Sequence, residues 1–422
     1  MEQQPPQNDP ALEAFDRVRE VLGQRSDTVS AFLPKFQSIA ASLRPDERIK
    51  LEVVYAHESS MELLRAALAD PQANKVCSLV WRYDGKEDVN SILPLLVNDC
   101  PELASLQVEF SSHSAFDFVS SVLEYPGTKV KELAMLNYPS GDLARFFAAL
   151  GRSQVSALTL SCFPKFGQGL QEYLAKDLLV RLKVWMNRKR VPPEMMMSLA
   201  KCARLAELKL AGCNSSLATI FIHLPKSITT LTLDDCTFFR GMDWSFLSDS
   251  NVRELDLRDV RAVDGTQLGS ALAVHLRAKG LAKLRLFDCQ FVNEALAGVE
   301  LGRIQRLMIS RHFSDASFAQ IALALQSPNS EMRELVLEYN RPAGGSVKTL
   351  VSALKHPNCN LAKLSLCTNS PRHEAVAKRI ESKFRHRLVL FALLQGRQAR
   401  RLYCPLRRLP VEMFRLVGMV LI

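Results

Sequence analysis

A chain of 422 residues with eight histidines, ten cysteines and 44 acidic side chains holds enough reactive groups for a catalytic or metal site, so their spacing decides. The histidines are scattered, with no H-E-x-x-H or H-x-H arrangement, and no G-x-S-x-G elbow presents a nucleophile. No two cysteines form a C-x-x-C pair, the usual zinc or redox spacing. GGSVKT (344–349) lacks the spacing of a phosphate-binding loop; lying between a strand pattern and a helix pattern, it predicts a turn with Ser346 as the helix cap. The adjacent acids Asp234 and Asp235 stand at a strand end, where neighbouring side chains point opposite ways and cannot share an ion. These patterns predict no catalytic centre, no cofactor and no metal.

The remaining chemistry is recognition, and it depends on the elements that array the side chains. The stretch LVSALKHPNCNLAKLSLCTN (350–369) holds two periods: Leu350, Val351 and Leu354 fall on one helix face, and Leu361, Leu364 and Leu366 close at strand spacing. An apolar-x-x-Leu-x-apolar pattern recurs from Val76, Leu103, Val130, Val155, Leu179, Leu205, Ile228, Val252, Leu281, Ile304, Met332 and Leu361, in steps of 23 to 29 residues. A degenerate unit around Leu51 and Val53 precedes them. Between strands, residues 114–125, 141–151, 266–280 and 315–327 read as amphipathic helices, several opened by Ser or Asp. Around Ile228, Val252 and Ile304 the steps of 23 and 24 leave room only for 3₁₀ or extended returns.

LTLDDC (231–236), LRLFDC (284–289) and LSLCTN (364–369) resemble the L-x-L-x-x-N/C core of the leucine-rich repeat family, and the strand-then-helix units of 28 or 29 residues resemble its ribonuclease-inhibitor subclass. The resemblance implies an α/β solenoid, a horseshoe with a parallel concave sheet, convex helices and helical caps at both ends. The expected organisation is a helical cap over 1–47, with its first ten residues disordered and its helices in 11–43. Twelve or thirteen repeats follow over 48–370, then a basic helical segment over 371–422.

The opening MEQQPPQNDP is polar and carries no secretory pattern, and no apolar run of about 18 residues is present. Cys213, Cys236 and Cys289 occupy the repeat's turn position, so a reducing cytoplasmic or nuclear location is expected. Of the net charge of +10, residues 371–422 supply most, with 12 Lys and Arg against Glu374, Glu381 and Glu412. Within this tail Val376, Ile380, Phe384 and Leu388 share a helix face, and LPVEMFRLVGMVL resembles the opening helix of an F-box. That resemblance implies docking on a ubiquitin-ligase adaptor through Leu409, Pro410, Glu412 and Phe414; the alternative is a cap on the last repeat.

Positions two, four and six after each anchor point away from the leucine core. They return Arg181, Lys183 and Trp185, then Glu254, Asp256 and Arg258, then Lys283, Arg285 and Phe287, then Glu334 and Glu338. Signs are interleaved, so no uniform stripe invites nucleic acid; the basic tail is the only place for it or for an anionic membrane. Aromatic side chains beside arginine suit a protein partner instead. The expected function is a non-catalytic intracellular platform binding protein on this face. The ubiquitin-ligase adaptor is an alternative, as is a bacterial effector in a host cytoplasm.

Overall fold

The computed structural model describes residues 18–23, 29–44, 47–53, 58–83, 89–110, 115–136, 142–161, 168–189, 193–215, 224–238, 250–262, 265–278, 281–338, 344–367, 374–375 and 377–385. The chain divides into two compact units, 1–187 with 192–206 and 188–191 with 207–422.

In the first unit seven parallel strands stand in chain order: β1 (Val18–Gly23), β2 (Arg48–Val53), β3 (Val76–Tyr83), β4 (Ser105–Phe110), β5 (Glu132–Leu136), β6 (Ala157–Ser161) and β7 (Arg181–Lys189). Their register aligns Val21, Leu51, Leu79, Leu106, Leu133, Leu158 and Leu182 in one row. From Leu51 onward every member of that row is at most 1% exposed. Between the strands lie α1 (Val29–Ala41), α2 (Glu58–Leu68), α3 (Leu93–Asp99), α4 (Ala115–Glu124), α5 (Leu143–Arg152) and α6 (Gln168–Leu174), with α7 (Pro193–Leu199) after β7. The Asp142 carboxylate caps α5 by accepting from the Arg145 N–H at 3.0 Å. Aromatic rings fill the space under the helices. Trp81 meets Phe118 edge-on at 5.6 Å, and Phe116 packs on Phe146 at 5.0 Å.

The second unit holds β8 (Glu207–Ser215), β9 (Thr230–Asp234), β11 (Glu254–Arg258), β13 (Lys283–Phe287), β14 (Arg306–Ser310), β15 (Glu334–Glu338) and β16 (Lys363–Cys367) in one parallel order. Two short strands, β10 (Thr237–Phe238) and β12 (Arg261–Ala262), pair beside β8. Again one leucine from each principal strand falls in register, from Leu208 through Leu231, Leu255, Leu284, Leu307 and Leu335 to Leu364. The intervening helices are α8 (Gly265–Ala278), α9 (Val292–Leu296), α10 (Asp315–Gln326) and α11 (Gly344–Lys355). Ordered parallel strands, leucine rows and intervening helices make the chain an α/β leucine-rich repeat solenoid. Each buried leucine contributes roughly 1.5–3 kcal/mol that no single unit could supply alone.

Turns after the strands repeat one device. Asp235, Asp259 and Asp288 adopt left-handed backbone (φ 46°, 47° and 54°), which aspartate tolerates better than most residues. Their N–H groups donate to the last carbonyl of the next strand, on Arg258, Phe287 and Ser310, at 2.9, 2.8 and 3.1 Å. The turn cysteines reach the other way: Cys236 Sγ lies 3.6 Å from the Leu210 carbonyl and Cys289 Sγ 3.4 Å from that of Leu257.

Three expectations are corrected. Helices alone were expected over 11–43, but Val18–Gly23 is a strand that extends the sheet by pairing with β2, because its backbone groups complete that ladder. Only α1 in that stretch is helical among the described residues, burying Phe32, Phe36 and Ala40. Ser346 does not cap α11; it lies inside the first turn, buried, and its hydroxyl donates to the Asp315 carboxylate. Between Leu281 and Ile304 the short step does hold a five-residue helix, α9, followed by a 3₁₀ turn at Leu301–Arg303. At the other end residues 377–385 are helical, with Ala377 and Phe384 buried and the Glu381 carboxylate accepting from the Leu366 N–H of β16. Residues 1–10, Val376, Leu388 and the segment holding Leu409, Pro410, Glu412 and Phe414 lie outside the described residues.

Candidate functional site

Strand alternation places the candidate side chains on the open face of each sheet, with the leucines on the other. In the first unit Arg181, Lys183 and Trp185 stand on β7 beside Ala157, Thr159 and Ser161 of β6. Arg181 reaches over the small Ala157 to the Glu132 carboxylate on β5. Lys183 is half-buried, and Trp185 is 38% exposed.

In the second unit the register sorts the open face into three rows. Glu254, Lys283, Arg306, Glu334 and Lys363 form the first. It is self-paired: Lys283 lies 3.5 Å from Glu254 and Lys363 2.6 Å from Glu334. The second row runs Asp256, Arg285, Met308, Val336 and Ser365, and the third Arg258, Phe287, Ser310, Glu338 and Cys367.

Asp256 organises the start of the upper rows. Arg258 grips it with two nitrogens, Nε to Oδ1 at 3.0 Å and Nη2 to Oδ2 at 2.7 Å, while Arg285 Nη1 lies 3.3 Å from Oδ2. The Asp256 side chain is 10% exposed and that of Arg258 38%, so a largely buried carboxylate meets a half-exposed guanidinium, and their hydrogen bonds hold Arg258 above its ordinary pKa. Farther along, Arg258, Arg285, Phe287, Met308, Ser310, Val336 and Glu338 line a pocket of about 180 Å³. Ser310, among the lining residues, is 2% exposed, and its hydroxyl is closed off from solvent without a hydrogen-bond partner.

The structure thus brings Arg258, Arg285, Phe287 and Glu338 around one pocket, with Asp256 clamping the two arginines, and places Arg181, Lys183 and Trp185 on the open face of the other unit. Met308, Ser310 and Val336 were passed over in the sequence. The same spacing rule returns them, but selection by charge and aromatic character discarded them. No group of three or more His, Cys, Asp or Glu converges among the described residues. Burial pushes the thiols of Cys77 and Cys202 up to about 11 and those of Cys100 and Cys289 up to about 12, so none is a thiolate at neutral pH. No described helix is long and apolar enough to cross a membrane.

No family model matches the chain, and no curated protein matches it. Among solved structures, an internalin (inlF) from Listeria monocytogenes overlays with a TM-score of 0.37 at 11% identity, covering 82% of this chain and 92% of that one. The plant peptide hormone receptor RGFR1 in complex with RGF2 overlays with a TM-score of 0.26 at 12% identity, covering 79% of this chain and 58% of that one. Overlaps this loose leave the fold assignment to the strand register and leucine rows of the chain itself.

Proposed function

We propose that the chain is a non-catalytic protein-binding platform whose partner lies on the open sheet face. The observation that carries this is the clamped Arg258–Asp256–Arg285 group beside Phe287. Arginines already held by a carboxylate lose little side-chain entropy on binding, and an aromatic ring next to them supplies apolar area. On the other unit Trp185 offers an exposed indole beside Arg181 and Lys183. Because acids and bases alternate along the face, the partner is a polypeptide surface of mixed charge rather than a polyanion. The long helix-bearing repeats, such as those ending in α10 and α11, support the ribonuclease-inhibitor-like subclass within the leucine-rich repeats.

The test is affinity purification with the parent and with a variant carrying Ala at Arg181, Trp185, Arg258, Arg285 and Phe287, folding being verified by circular dichroism. The variant loses the partners that the parent retains. Capture of the same partners in the same yield would overturn the assignment.

A further inference from the structure

The pocket on the open face of the second unit exists because one short side chain interrupts a row of long ones. In the register Arg258, Phe287, Ser310, Glu338 the serine stands between a ring and a carboxylate, and the neighbouring row brings Met308 and Val336 alongside. At about 180 Å³ the space is below the roughly 300–1,000 Å³ of small-molecule and cofactor sites. It slightly exceeds the about 150 Å³ that holds one benzene in an engineered protein cavity, so its size is that of one ring-bearing side chain.

Resting on the reading of this face as a protein-binding surface, we infer that the pocket receives one phenylalanine side chain of the partner, its ring against Phe287 and Met308 and beside the two arginines. Three features select that residue. The charges around the pocket balance, Arg258 and Arg285 against Asp256 and Glu338, so neither an ammonium nor a carboxylate gains from entering. A side chain enters tip first from the partner's backbone, toward a sheet where the Ser310 hydroxyl is closed off from solvent and Met308 and Val336 present only carbon and sulfur. A phenol hydroxyl or an indole N–H carried there loses its water and gains no partner, which disfavours tyrosine and tryptophan. Among the apolar side chains that remain, the walls reward a ring: Phe287 offers an aromatic pair, Met308 a thioether, and the arginines steadied by Asp256 offer guanidinium groups to a ring face. An aliphatic side chain engages none of the three. Phenylalanine alone meets every demand.

The experiment uses the full chain with methyl-labelled methionine, the Met308 signal being assigned by its loss in Met308→Leu. The N-acetyl amides of phenylalanine, tyrosine and leucine are titrated separately. The expected result is a saturable shift of the Met308 methyl, with the phenylalanine probe bound about tenfold tighter than the tyrosine probe and about fivefold tighter than the leucine probe, as an unpaired hydroxyl and a lost aromatic pair allow. Phe287→Leu keeps an apolar wall without its ring, so the preference over leucine falls to about twofold while the preference over tyrosine stays. In Val336→Phe, which fills the space from within, the shift is lost, the other methionine methyls showing that the chain is folded. A silent Met308 methyl in the parent, leucine or tyrosine bound as tightly as phenylalanine, a preference over leucine that Phe287→Leu leaves unchanged, or a shift that survives Val336→Phe would overturn the inference. The broader reading would still stand as long as the five-alanine variant lost its partners, so the two fail separately.

Discussion

Asp256 is the residue on which the candidate face turns, because it holds two arginines from neighbouring strands at distances of 2.7 and 3.3 Å. Replacing it with Ala leaves two guanidinium groups adjacent and unpaired on one side. Asp256→Ala should therefore lower the unfolding free energy by about 1–3 kcal/mol in urea denaturation, with Asp256→Asn losing less because an acceptor remains. An unchanged midpoint in the Ala variant would mean that water replaces the carboxylate at no cost. The thiols make a second residue-scale prediction. Seven of the eight described cysteines are buried and Cys367 is exposed, so an alkylating reagent should label Cys367 in the folded chain and reach the seven only after unfolding, as read by peptide mass mapping. The pH sign follows from burial. A thiol of ordinary pKa 9.0 that burial pushes to about 11 at Cys77 or about 12 at Cys289 favours the neutral folded form. Its contribution is present below about pH 9 and is lost as pH rises toward 11–12. Melting of the parent should thus fall more steeply above pH 9 than that of a chain with Ala at both positions.

Elements are held together by leucine rows, and here the sequence was most informative. The third residue after each anchor is the one aligned across strands, from Leu79 through Leu364, because a fixed turn length lets only one register bury every leucine. Leu233, the fourth residue of β9, has no exposure. Leu233→Asp should unfold the adjoining repeats by burying an unpaired charge, and Leu233→Ala should cost about 2–5 kcal/mol in chemical denaturation. A second element-scale test is Gly269 in α8, where an added Cβ would lie 2.5 Å from Glu294 Cβ and 2.9 Å from the Phe291 carbonyl. Gly269→Ala should lower the melting temperature although alanine favours helix, because α9 must move. A rise would show that α8 and α9 separate freely. What spacing did not reveal has physical causes. Val18 and Leu22 stand four apart, which reads as a helix face, and only the ladder offered by β2 makes that segment a strand. Ser346 resembles a cap locally, yet its partner is Asp315, more than a full repeat away. The pocket depends on side-chain lengths compared across strands 23 or 28 residues apart, a juxtaposition that no local pattern contains.

At the scale of the molecule a stack of repeats buries its leucines only where a neighbour stands on each side, so its last strand needs a cover of another kind. At β16 the helical residues 377–385 fill that place. Phe384 and Ala377 are 5% and 4% exposed, and the Glu381 carboxylate accepts from the Leu366 N–H, an edge group that no other strand pairs among the described residues. The same short stretch carries Lys378, Arg379, Lys383 and Arg385, of which Lys378, Arg379 and Arg385 are exposed, so one face covers apolar surface while the other keeps the edge soluble and averse to pairing. Phe384→Ala should then cost about 3–5 kcal/mol, the range for deleting a buried phenylalanine. A chain ending at Ser370 should melt several degrees lower than the parent and self-associate through β16, which concentration-dependent sedimentation would detect. Because stability in such arrays is a sum of neighbour terms, the loss should be local: hydrogen exchange should quicken in β15, β16 and α11 while β9 and β11 keep their protection. Uniform loss of protection across the second unit would show instead that it unfolds as one cooperative block, and parent-like exchange at β16 would show that the helix is not its cover.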